Sequence, residues 1–99
     1  MFDFYPDKIY YISKDGTKDM FGYTNNEPVE KFVRYVGGKD VQVENNNNFS
    51  IEHRLEYHSP FEIFVGDKII KNKDRLEVKK VEEIRDIFFN TLFWRFEVV

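Results

Sequence analysis

Residues 75–86, RLEVKKVEEIRD, separate two readings of the chain. As an amphipathic helix over 76–89, Leu76, Lys80, Val81, Ile84 and Phe88 sit near helical spacing. As a strand, Leu76 and Val78 alternate and Val81 falls out of phase, which predicts a β-bulge between them. Valine and isoleucine suit a pleated surface. The preceding KNKD, 71–74, reads as a four-residue hairpin turn after KII, which starts a strand. The strand reading is therefore preferred, and it makes the chain all-β.

Working outward, the same pattern recurs. KIYYIS, 8–13, follows Pro6 and reads as the first strand. Residues 14–28 form a loop broken by Gly16, Gly22, Asn25, Asn26 and Pro28. VEKFVRYV, 29–36, is a second strand that Gly37-Gly38 ends or turns. DVQVE, 40–44, places Val41 and Val43 on one face. In 49–58, Phe49, Ile51, His53, Leu55 and Tyr57 share one face of a half-buried strand. Asn45 to Asn48 join these two pieces and read as the loose polar tip of an extended hairpin. Phe61, Ile63 and Val65 lie on one side of an extended stretch, and Gly66-Asp67 makes a turn. A last turn near Asn90-Thr91 leads to a strand with Trp94, Phe96 and Val98 on one face.

The composition agrees. Eleven Phe, six Tyr and one Trp stand against three Leu and no Ala in 99 residues, a balance that favours strands over helices. The length predicts one domain over 1–99, large enough to bury about 60% or more of its unfolded surface. The expected fold is a small antiparallel open β-barrel or sandwich of about six strands, with a long polar central loop at 44–50.

Several chemistries are disfavoured. There is no cysteine, hence no disulfide framework and no cysteine-based zinc or redox site. His53 and His58 fall on opposite faces of a strand, and no third ligand accompanies them at metal-site spacing. Asp3, Asp7, Asp15, Asp19, Glu82, Glu83 and Asp86 are dispersed and read as a solvated surface. There is no phosphate-cradling glycine loop, nucleophile elbow or Cys/His pair, so catalysis, cofactors and metals are not expected. A net charge of −3 argues against gripping nucleic acid as a primary role. The segment 68–80 is locally basic, but no aromatic is interleaved in it. No apolar run approaches the roughly 20 residues of a spanning helix. MFDFYPDK lacks the pattern of a signal peptide, so a protein without a membrane is expected.

FEIFVGDKIIKNKDRLEVKKVEEIRD, 61–86, resembles the second half of tailed-phage head-closure proteins, also called head-completion, stopper or head–tail joining proteins. The resemblance rests on Gly66-Asp67, Ile69, the turn at 71–74, and Leu76-Glu77-Val78 with Val81. The family often carries Tyr where this chain has Leu76. FYPDKIYYISKDG and DMFGYTNNEPVEKFVRYV resemble the opening strand and the stretch after it. Residues 37–58 match in layout alone.

The resemblance implies a structural virion protein of the phage neck, made in the host cytoplasm. It implies a homo-oligomeric ring, of about six copies in that family, below the portal and adaptor and above the tail-completion protein; such rings have closed symmetry. Such a ring closes the DNA channel after packaging and gives the tail its docking surface. The channel-occluding loop would be Glu44, Asn45, Asn46, Asn47, Asn48, Phe49 and Ser50, close to the packaged DNA end. Gly66, Asp67 and Val78 would be fold motifs. The chain is rich in aromatics beyond what a small core hides, and interface centres favour aromatics. Phe2, Phe4, Tyr5, Phe88 and Phe89 are accordingly the expected contacts with other subunits or neck partners. Competing readings are a tail-completion or adaptor protein, or a small β-barrel binding module or regulator.

Overall fold

The computed structural model describes residues 4–18, 24, 25 and 27–99. Its strands are β1 (Asp7–Ile12), β2 (Thr17–Lys18), β3 (Thr24–Asn25), β4 (Val29–Asn45), β5 (Asn48–Ser59), β6 (Lys68–Lys71), β7 (Asp74–Arg85) and β8 (Thr91–Val98). No helix occurs among the described residues. Residues 75–85 are strand, as the alternation predicted, and Asp86 begins the turn that follows. The bulge lies where the phase slips, between Val78 and Lys80.

Six antiparallel strands close into a barrel in the order β1-β4-β5-β8-β7-β6. The expectation of an open barrel or sandwich is corrected here. β1 closes the sheet because both its edges are used. Asp7 to Tyr11 pair with β4, and Tyr10 to Ile12 pair with β6. Closure removes the exposed edges that an open sheet would leave. The region 14–28 is not all loop, since β2 and β3 pair there.

Ile9, Val33, Tyr57, Ile63, Ile69, Val78, Phe96 and Val98 form the buried core. Tyr57 stacks on Phe96 with ring centroids 5.5 Å apart, and Tyr35 leans on Tyr57 at 5.3 Å. Burial, then the nearby Tyr35 and Asp7, push the Tyr57 phenol up to about 12. Phe61 packs against this core edge-on to Tyr11. Val65, expected on the same side as Ile63, faces solvent instead.

β4 does not stop at Gly37-Gly38. It runs through them, with Val36 as the extra residue between Tyr35↔Tyr57 and Gly37↔Glu56. A Cβ on Gly38 would lie 2.9 Å from the His53 ring, so glycine permits the close crossing. The bulge also inverts the strand's alternation. Val33 faces the core, but Val41 and Val43 pair with Glu52 and Ser50 on the outward side.

The long central loop is absent. β4 and β5 stay paired up to Asn45↔Asn48, leaving Asn46 and Asn47 as a two-residue turn. Both have positive φ, 47° and 69°, the signature of a type I′ hairpin. Asparagine tolerates this left-handed region better than most residues. The four-asparagine run is therefore two turn residues flanked by two strand residues. The turn at 71–74 is likewise tighter than expected, with Lys71 paired to Asp74 and Asn72 at φ 58°.

Candidate functional site

Two projections leave the barrel. β5 pairs with β8 only from Leu55↔Val98 to Ser59↔Trp94. Before Leu55, β5 continues with β4 alone as a two-stranded ribbon, from Lys39↔Arg54 to Asn45↔Asn48. At about 3.3 Å per residue it reaches roughly 20 Å. Before Trp94, β8 continues with β7 into a short hairpin whose turn is 86–90. The two projections leave the β5–β8 pair at opposite ends.

The ribbon carries Phe49 and Ile51 on one face, 65% and 68% exposed. Glu44 and Gln42 stand directly across from them. Val41 and Val43, half-buried, lie on the other face. Of the predicted loop residues, Glu44 and Asn45 thus end β4, Asn46 and Asn47 turn, and Asn48, Phe49 and Ser50 begin β5.

A charge cluster braces the ribbon's base. Glu97 on β8 is nearly buried. Its carboxylate accepts from Lys39 Nζ at 2.5 Å and Arg54 Nη1 at 3.1 Å, the residues of the ribbon's first pair. Glu52 adds a 2.8 Å bond to Arg54 Nε. Burial pushes the Glu97 carboxyl up, but Lys39 and Arg54 outweigh it and hold it below its usual range. The ribbon's first pair is thus tied to β8 by Glu97.

The 86–90 turn presents Ile87, Phe88 and Phe89 to solvent at 84%, 75% and 79% exposure, with Leu92 beside them. Asp86 fixes it. Its Oδ1 accepts from the amides of Phe88 (2.8 Å) and Asn90 (3.0 Å). The Phe89 amide donates to the Asp86 carbonyl. Phe89 has φ 65°, a left-handed conformation that costs an aromatic residue about 1–2 kcal/mol. Strain held in a preformed exposed apolar turn is a recurrent mark of a binding element.

The other predicted contacts are scattered. Phe2 lies outside the described residues. Phe4 is exposed and its carbonyl accepts from Arg34 Nε at 2.7 Å. Tyr5 is half-buried. Gly66, Asp67 and Val78 do meet. The Gly66 amide donates to the Val78 carbonyl at 2.9 Å, and the Val78 amide to the Asp67 carbonyl at 2.8 Å.

The histidines do not converge. His53 Nδ1 lies 2.9 Å from Asp40 at the ribbon surface. His58 stacks on Phe93, and burial draws its imidazole below the usual 6.5. No metal-ligand cluster occurs among the described residues. No described helix is long and apolar enough to cross a membrane. Sequence reasoning missed Ile87 and the Glu97 clamp. The first was legible as the unbroken IFF at 87–89, whereas the second depends on a strand pairing that no local signal reveals.

Compared with known proteins, the chain matches no family model and no curated protein.

Proposed function

We propose that this chain is a structural neck protein of a tailed phage, acting in a ring that closes the DNA channel. The β4–β5 ribbon is the observation that carries the reading. It is braced at its base by Glu97, and it ends in asparagines rather than charges. The tip itself is neutral, with Glu44 one pair behind it, so it does not grip phosphates, and the amides offer donors and acceptors to their own copies. The occluding element is thus the end of a stiff arm, not a loose loop. The Ile87-Phe88-Phe89 turn, at the opposite end of the β5–β8 pair, serves as the contact with a neighbour or neck partner. An all-β barrel favours a stopper over the more helical adaptors.

The test shortens the arm by replacing residues 40–53 with Asn-Gly between Lys39 and Arg54. The barrel strands, Lys39, Arg54 and Glu97 are retained while Glu52 is lost, and circular dichroism checks that the barrel still folds. Particles from the chain's source carrying this variant should assemble, package and then leak DNA. Tight, fully infectious particles would overturn the plugging role.

A further inference from the structure

The basic segment 68–80 has no aromatic within it, but the barrel supplies one. On the outer face of three adjacent strands, Tyr10 pairs with Ile70, which pairs with Arg75. In the next row Ile12 pairs with Lys68, which pairs with Glu77. Tyr10 is 40% exposed, and Lys8 precedes it on the same face of β1. Ile12, Ser13, Lys14, Gly66, Lys68 and Arg75, with Glu77, line a cleft of about 460 Å³. Lys14, Lys68 and Arg75 are exposed, and no ion pair engages their side chains among the described residues. Two carboxylates share the face. Glu77 is bound by Lys79 at 2.7 Å and also feels the charge of Lys68, directly across from it, and Glu30 stands across from Tyr10.

We infer that this face binds single-stranded nucleic acid, with phosphates in the Lys14–Lys68–Arg75 cleft and a base on Tyr10. The chemistry is that of a stacking platform beside a cationic track. Adjacent strands lie about 4.8 Å apart, so Tyr10 and Arg75, two strands apart, stand roughly 10 Å from each other. That spacing suits a base and the phosphates beside it. The chain's negative total is compatible, because the cations are gathered on one face. This inference goes beyond the neck reading and needs no ring.

The test is fluorescence anisotropy of labelled oligothymidylate and oligouridylate with the full chain at low salt. A parallel titration uses an abasic oligonucleotide of the same length. Expected results are salt-sensitive binding and quenching of tyrosine emission. Tyr10→Ala should weaken binding about fivefold or more, the size of a lost base stack. Lys68→Glu with Arg75→Glu should weaken every oligonucleotide and flatten the salt dependence. The two oligonucleotides then tell whether DNA or RNA is preferred. No binding at low salt would overturn the inference. So would equal affinity for the abasic strand together with an unchanged Tyr10→Ala, which marks a bare cationic patch.

Discussion

The Tyr11 hydroxyl donates a 2.5 Å hydrogen bond to Asp67, 56 residues away in sequence. Asp67 is fully buried, and its carboxylate also accepts from the amides of Lys14 (2.9 Å) and Phe64 (2.8 Å). One residue thus ties the end of β1 and the stretch before β6 through its carboxylate and, through its backbone carbonyl, β7. Burial first, then the bond to Asp67, push the Tyr11 phenol well above its usual value.

This bond predicts an order of stability losses. Hydrogen bonds to a charged group contribute about 1.5–3 kcal/mol, so Tyr11→Phe should cost about 2 kcal/mol in chemical denaturation. Asp67→Asn should cost more, because its amide nitrogen faces a donor at one of its oxygen sites. The double variant should cost less than the two single losses combined. Strict additivity would mean that the contact is not a working bond.

The asparagine turn gives a second prediction. With φ positive at both Asn46 and Asn47, Asn47→Gly should be neutral or slightly stabilising. Asn46→Ala with Asn47→Ala should destabilise the ribbon by about 1–2 kcal/mol per residue. Amide exchange across Val43 and Ser50 would show this as faster local opening. A loose tip would tolerate both changes equally.

These two cases show what the sequence made legible. The strand reading of 75–86 and its bulge followed from the phase slip at Val81, because alternation is a local property. Gly66, Asp67 and Val78 were recognisable as a motif, yet their backbone bonds appear only once the chain closes. The asparagine run misled because four polar residues resemble a loop, whereas left-handed geometry needed only the middle two. Strand pairing decides the rest. Nothing near Tyr10 in sequence announces Arg75, and nothing near Lys39 announces Glu97.

The Glu97 clamp predicts a pH dependence. Its folded pKa lies below the ordinary 4.5. Its stabilisation is therefore present above that value and is lost as pH falls through the lowered folded value. Glu97→Gln should cost about 1–2 kcal/mol at neutral pH, limited because Lys39 is 43% exposed and partly screened. The variant should also lose part of the acid sensitivity between neutral pH and pH values below 4.5. An unchanged acid profile in Glu97→Gln would remove the clamp from the account.

Phe89 separates stability from assembly. Phe89→Gly relieves the left-handed strain and should raise stability by about 1 kcal/mol, while weakening association through the exposed turn. Phe88→Ser should weaken association with little change in stability. Sedimentation velocity, on the protein alone and with neck partners, reads the association, and thermal denaturation reads the stability. Association unaffected by either change would show that the turn is not a contact.

The central claim, a place in the phage neck, is tested most directly by quantitative mass spectrometry of mature tailed particles purified from the chain's source. The account predicts about six copies per particle, or a small multiple set by closed symmetry. Particles that contain none of this chain would contradict it.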